Sequence, residues 1–299
     1  MTSLVSVKQL NEPMVEWLLR QAQYYIEHEP KIKINGHAVN LFFEPSTRTS
    51  LSFQLAAQRM GLTLLDFEVE QSSVKKGESL IDSLQTLDAM GVKLAIVRHG
   101  DDWPKLIAEA GLKMSVINAG SGIHEHPTQA LLDVLTIKQH FGSFAGLKVA
   151  VVGDVRHSRV ARSNAYLLQM LGAKVSFSGP EIFKPLDLSE IPWIDFDQAV
   201  AESDVVMMLR VQHERHETAY AVADYNKRYG LNAERLKQLA KHALILHPGP
   251  VNRGVEITDE VMGDPRCKIL QQVTNGVAVR MAVLHWCLRE ESNGQLVPA

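Results

Sequence analysis

Ala38-Val39-Asn40-Leu41-Phe42-Phe43-Glu44-Pro45-Ser46-Thr47-Arg48-Thr49 changes its periodicity half-way along. Residues 38–43 form a short apolar run of the kind a buried strand presents. After Glu44-Pro45 the apolar residues Leu51, Leu55 and Met60 recur at the spacing of one helix face. The stretch predicts a strand, a tight turn and a helix. On either side the same alternation recurs, with strands expected at 63–67, 94–98 and 115–118 and helices starting near Thr47, Glu78, Trp103 and Pro127. Upstream, Asn11 can cap a helix with Pro13 in its first turn and Met14, Trp17 and Leu18 on its apolar face, running to about Glu27. Such an alternation suits a mostly parallel sheet wound with helices, because parallel neighbours need crossover connections.

The alternation restarts after Phe141-Gly142-Ser143, with strands expected at 148–152, 174–177, 205–209 and 243–246. The expected fold class is therefore α/β, with two doubly wound, mostly parallel-sheet domains at 1–140 and 141–275. The helical pattern that begins at Gly276 is expected to return to the first domain over 276–299. A chain of 299 residues, 45% hydrophobic and 22% charged, suits two packed cores. Its formal net charge of -3 offers no general surface for nucleic acid or anionic membrane, so anion recognition must come from locally placed cations. The two cysteines, Cys267 and Cys287, are too far apart for a C-x-x-C motif and fit reduced thiols. The first residues lack the basic-then-apolar order of a signal peptide, and no apolar run approaches the ~20 residues that cross a bilayer. A cytoplasmic protein is expected.

Ser46-Thr47-Arg48-Thr49 falls on a strand-to-helix turn. Backbone N–H groups and the positive end of the helix dipole favour an anion there, the hydroxyls add donors, and Arg48 adds a charged fork. Helix capping explains Ser and Thr equally well, and only the arginine is surplus to it. His126-Pro127-Thr128-Gln129 opens another helix after a strand, with Gly120 and Gly122 loosening the approach. Pro127 suits a first helical position for structural reasons alone. An imidazole at 126 can donate to a carbonyl oxygen, and the amide of Gln129 can hold an NH2 group. His124 and His126 form an H-x-H pair, but no third ligand cluster accompanies them, so no metal is expected. Arg98 ends the strand at 94–98, where open parallel sheets bind ligands, although arginine is by default a surface residue. Three strand ends in this half thus offer donors to one anion.

In the second half, the segment from Gly153 to Arg159 follows a strand but lacks the G-x-G-x-x-G spacing of a dinucleotide site, and no cofactor is expected. Arg210 and Gln212 follow a further strand. Arginines at separate strand ends suit a ligand with two carboxylates, because guanidinium meets carboxylate in a bidentate geometry. His247-Pro248-Gly249-Pro250 closes the strand at 243–246; prolines around a glycine fix the backbone and leave carbonyl oxygens for an amine or amide, or simply make a rigid turn. The polar loop from Gln71 to Glu78 carries Lys75 and Lys76, which ordinarily mark a solvated surface.

Taken in order along the chain, Ser46-Thr47-Arg48-Thr49, the loop from Ser72 to Glu78, His126-Pro127-Thr128-Gln129, Arg210-Val211-Gln212 and His247-Pro248-Gly249-Pro250 resemble the aspartate/ornithine carbamoyltransferase family. Within it they are most similar to the aspartate-specific catalytic chains, over nearly the whole length. The resemblance implies transfer of the carbamoyl group of carbamoyl phosphate to the amine of L-aspartate, an early step of de novo pyrimidine biosynthesis. It places the active site in the cleft between the two domains. It implies that Ser46, Thr47, Arg48 and Thr49 hold the phosphate, with Ser72 and Lys76 reaching in from a neighbouring subunit. By the same resemblance Thr49, Arg98 and His126 polarise the carbamoyl carbonyl, and Gln129 with the carbonyls of Gly249 and Pro250 orients its NH2. Arg159 takes the α-carboxylate of aspartate, and Arg210, Gln212 and Lys76 take the side-chain carboxylate. A homotrimer with shared sites and no metal is implied, with a regulatory chain or other pyrimidine enzymes as further partners the family admits.

Two positions depart from the family pattern. Ser50 stands where many relatives carry arginine, and Gly249 where a larger apolar residue is frequent. The rival substrate is ornithine, for which a cysteine after the histidine of the closing loop and no paired cations are expected; here Pro248 follows His247, and Arg210 is present. A non-catalytic binding or assembly subunit of the same fold is the other rival, opposed by candidates at every catalytic position.

Overall fold

The computed structural model describes residues 2–65, 67, 77–211 and 222–289. The strands are β1 (His37–Phe42), β2 (Thr63–Leu65), β3 (Leu94–His99), β4 (Ser115–Ser121), β5 (Lys148–Val152), β6 (Lys174–Ser178), β7 (Val205–Met208) and β8 (Leu244–Leu246). The helices are α1 (Glu12–Glu27), α2 (Thr47–Met60), α3 (Leu80–Ala89), α4 (Pro104–Ile107), α5 (Pro127–Phe141) and α6 (Arg159–Met170). They continue with α7 (Phe196–Glu202), α8 (Val222–Tyr229), α9 (Ala233–Gln238), α10 (Asp259–Met262) and α11 (Ile269–Leu288).

Among the described residues two four-stranded sheets result, in the orders β2-β1-β3-β4 and β6-β5-β7-β8, with each of their strand pairs parallel. The α/β class with two mostly parallel sheets is thus as the apolar runs predict. The two orders correspond strand for strand. In each, the chain leaves the first strand toward one edge and then returns to its other side, which puts a switch point between β1 and β3 and between β5 and β7. β4, β7 and β8 are buried at every position, as expected of strands covered on both faces.

Several element ends differ from expectation. β2 is described over Thr63–Leu65 and Phe67 is irregular, while Asp66 lies outside the described residues. β4 extends past Asn118 to Ser121, because ladder pairing continues to His99 opposite Ser121 where the apolar signal has ended. α3 starts at Leu80, since Ser79 accepts from Asp82 N and Asp82 reaches back to the Ser79 backbone. α4 is a single turn, preceded by the fully buried Trp103, and α11 begins at Ile269 rather than Gly276.

The chain divides into two compact units, Met1–Leu132 with Val273–Ala299, and Asp133–Gln272. Both divisions fall within helices, α5 and α11. The core of the first unit includes Val39, Leu41, Leu84, Val97, Trp103 and Val116; that of the second includes Val152, Val206, Met208, Ile245 and Ile257. No helix among the described residues is long and apolar enough to cross a membrane.

His285 on α11 is buried in the first unit, with its Nδ1 2.9 Å from the Tyr25 hydroxyl and its ring 5.4 Å from that of Trp17. Burial, reinforced by Arg289, lowers its pKa below 6.5. The unfolded chain therefore takes up this proton before the folded one does, and stability falls as pH drops through the unfolded value. Urea midpoints measured at pH 7.5 and 5.5 should show a loss on acidification that is smaller in His285→Gln than in the unmodified protein.

Candidate active site

In the first unit, three candidate segments stand at the carboxyl ends of three adjacent strands. β1 leads through Glu44-Pro45 to the Ser46–Thr49 turn, β3 ends on Arg98 and His99, and β4 leads through Gly120–Gly122 to His126. Phe42 pairs with Arg98, and His99 with Ser121, so these ends lie side by side at the switch point. Ser46 occupies the N-cap of α2, yet its side chain makes no capping hydrogen bond. Ser158, by contrast, accepts from Ala161 N in the same position on α6. Capping thus does not account for the Ser46 hydroxyl. Arg48 and Thr47 are exposed at the start of α2, and Thr49 is buried.

Arg98 is held from both sides. Its Nε lies 3.6 Å from a Glu44 carboxylate oxygen, and its Nη1 donates to the Ala119 carbonyl at 3.3 Å. With its side chain only 13% exposed, it is oriented and not a solvated surface arginine. His126 and Gln129 are both buried at the start of α5, and the His126 carbonyl accepts from Gln129 N and Ala130 N. His124 is exposed, so the two histidines of the H-x-H pair face different surroundings. The described residues contain no group of three or more His, Cys, Asp or Glu side chains placed to hold a metal. Gly122 has φ 43, and a Cβ there would lie 2.6 Å from the Gly100 carbonyl oxygen, so only glycine lets the loops after β3 and β4 approach this closely.

The second unit repeats the arrangement. Arg159 opens α6 after β5, Arg210 follows β7, and His247-Pro248-Gly249-Pro250 follows β8, on three adjacent strands. The turn before Arg159 is fixed by the buried Asp154, which accepts from His157 N at 3.3 Å and lies 2.9 Å from its Nδ1. The closing loop is braced at several points. Gln272 accepts from His247 N at 3.0 Å, and its amide donates to Asp133 at 2.7 Å, while Asn164 donates to the same carboxylate at 2.8 Å. His247 Nε2 lies 3.3 Å from the fully buried Glu256, which accepts from Asn252 N, and Asn252 donates to the Val211 carbonyl. Gly249 adopts φ 65, a left-handed conformation in which a residue with a Cβ would be strained.

Ser46, Thr47, Arg48, Thr49, Arg98, His126 and Gln129 thus form one group within the first unit, and Arg159, Arg210, Gly249 and Pro250 a second within the other. Ser72, Lys76 and Gln212 lie outside the described residues. Some of the bracing carboxylates carry a signal in the sequence. Glu44 carried a usable signal, standing at a strand end beside that of Arg98. Asp133 carried another, as a charge interrupting the apolar run Ala130-Leu131-Leu132 and Val134-Leu135 of a buried helix.

Two family models match in succession: aspartate/ornithine carbamoyltransferase, carbamoyl-P binding domain, over residues 2–139, and aspartate/ornithine carbamoyltransferase, Asp/Orn binding domain, over residues 145–287. The chain belongs to the aspartate/ornithine carbamoyltransferase family. Among its relatives, an aspartate carbamoyltransferase catalytic subunit of Oceanobacillus iheyensis is 46% identical, over 97% of this chain and 94% of that one. One from Salinispora tropica is 51% identical over 84% of each chain. The aspartate transcarbamoylase of Trypanosoma cruzi, solved with carbamoyl aspartate and phosphate, superposes with a TM-score of 0.86 at 31% identity, covering 95% of this chain and 94% of that chain. Its complex with carbamoyl phosphate and aspartate gives 0.84 at 30% identity, covering 95% of both. These family members share the fold of two parallel sheets described above.

Proposed function

We propose that the protein transfers the carbamoyl group of carbamoyl phosphate to the amine of L-aspartate, giving N-carbamoyl-L-aspartate and phosphate on the route to pyrimidines. The observation that carries this reading is the placement of cations after the carboxyl ends of adjacent strands in both sheets: Arg48 and Arg98 in one, Arg159 and Arg210 in the other. The first group suits a phosphate and a carbonyl, and the second suits two carboxylates. The relatives' names and the T. cruzi complexes support the same assignment.

In this reading Ser46, Thr47, Arg48 and Thr49 bind the phosphate, and Thr49, Arg98 and His126 donate to the carbamoyl oxygen. Gln129 and the carbonyls of Gly249 and Pro250 orient the NH2 group. The neutral amine of aspartate attacks the carbamoyl carbon, a C–N bond forms, and the negative charge gathering on oxygen meets donors already in place. The bond to phosphate then breaks, and the departing phosphate accepts the amine proton. No protein base is needed, so holding both substrates in register supplies much of the rate. Ser72 and Lys76 complete the site from the neighbouring subunit of a homotrimer, Gln212 assists Arg210, and the protein works in the cytoplasm.

Purified protein incubated with carbamoyl phosphate and a panel of amines tests the assignment. Aspartate should be carbamoylated strongly in preference to ornithine, and equal use of ornithine would sink it. Arg210→Ala should raise the KM for aspartate roughly 10–100-fold, the loss of one charge-assisted contact, with little change in carbamoyl phosphate binding. Equal losses for both substrates would misplace Arg210.

A further inference from the structure

We infer that Glu125 is a positioning residue for His126, locked by the segment that precedes α1. This rests on the reading of His126 as a donor to the carbamoyl oxygen. Residues 3–5 lie along the outer edge of β4. Leu4 N donates to the Val116 carbonyl at 2.9 Å, Asn118 N donates to the Leu4 carbonyl at 2.8 Å, and the Asn118 amide donates to the Val5 carbonyl at 2.9 Å. Ser3 Oγ accepts from Val116 N. The segment then turns into a short 3₁₀ stretch, Val7–Gln9, capped by Ser6.

At that turn both oxygens of the Glu125 carboxylate are engaged. Oε1 accepts from Ser6 Oγ at 2.5 Å, and Oε2 accepts from Val7 N at 2.7 Å. The Glu125 backbone is fixed as well, since its carbonyl accepts from Ser121 N at 3.0 Å and its N–H donates to Ser121 Oγ at 3.3 Å. Burial pushes the Glu125 carboxyl up, against the pull of those two donors, which marks the contact as largely removed from water.

The consequence falls on the next residue. His126 precedes Pro127, which confines it to extended backbone, and its carbonyl is engaged in the first turn of α5. With Glu125 clamped before it and Pro127 after it, only side-chain torsions remain to aim the imidazole. Residues 3–9 have no place in the reaction, yet through Glu125 they set where its donor stands.

The test is a double-mutant cycle on turnover with Glu125→Ala, His126→Ala and the double variant. Glu125→Ala should lower kcat about tenfold while changing the KM of either substrate less than about twofold, as misplacement of a donor does. In the His126→Ala background the same change should cost nothing further, because its effect passes through the imidazole. Ser6→Ala, which removes one of the two donors, should give a smaller fall in kcat that also vanishes without His126. Additive losses, or a Glu125→Ala enzyme with unaltered kcat, would overturn the inference. Should Glu125→Ala fail to fold, the cycle run with Glu125→Gln and Ser6→Ala decides by the same criterion. Full turnover in His126→Ala alone would instead remove the role given to His126 itself, a result distinct from additivity.

Discussion

His126→Ala is expected to lower turnover by about 10²–10³ at saturating substrate, the usual loss for one oxyanion donor, with the fold retained. The imidazole is buried at the start of α5, beside the strand end that carries Arg98, and Arg98 is itself oriented by Glu44 and the Ala119 carbonyl. Donors fixed in this way need no reorganisation as charge develops, which is why a single deletion is costly although no proton is transferred to it. The loss should appear in kcat more than in the KM for carbamoyl phosphate, since the ground-state carbonyl calls on the donor less than the oxyanion does. Steady-state kinetics with both substrates varied would show it, and unimpaired turnover would refute the role.

Arg48→Ala and Lys76→Ala should each be nearly inactive as pure proteins, yet a mixture of the two should recover. If Lys76 serves the site whose phosphate lies on Arg48 of the next subunit, a cyclic trimer containing both variants always has one interface where an intact Arg48 meets an intact Lys76. Random reassembly of equal amounts makes about three quarters of trimers mixed, each with one intact site of three, so about a quarter of normal sites return. The measurement is turnover after dissociation, mixing and reassociation, against unmixed controls. No recovery despite proven subunit exchange would show that both residues act within one subunit or that the loop carrying Lys76 takes no part.

Much of the fold was legible because parallel strands buried on both faces read as uninterrupted apolar runs. Residues 94–98, 148–152 and 205–209 announce β3, β5 and β7 in this way. The ends were less legible. Nothing apolar marks the last residues of β4, where Gly120 and Ser121 continue the strand only because His99 lies opposite. The start of α11 before Gly276 was hidden for a different reason: Gln271, Gln272, Thr274 and Asn275 make that stretch largely polar, so the apolar stripe is incomplete. Candidate site residues were legible where chemistry exceeded structural need, as with Arg48 beside hydroxyls that capping alone would explain. Their bracing was not, because Gln272 reaches the closing loop from a distant helix and Glu125 reaches Ser6 across more than a hundred residues, contacts that no local spacing encodes.

The division of the chain into units has a bearing on its synthesis. The second unit is one uninterrupted stretch, whereas the first needs residues from both ends, with Val279, Leu284 and Trp286 of α11 buried in it and Ser115 Oγ donating to the Cys287 carbonyl. A ribosome releases the chain in order, so the half made first is the half finished last: its sheet emerges early and waits, apolar surface uncovered, until the final helix arrives. Premature termination after residue 272 therefore spares every residue of the second unit and leaves the first without the helix that completes its core.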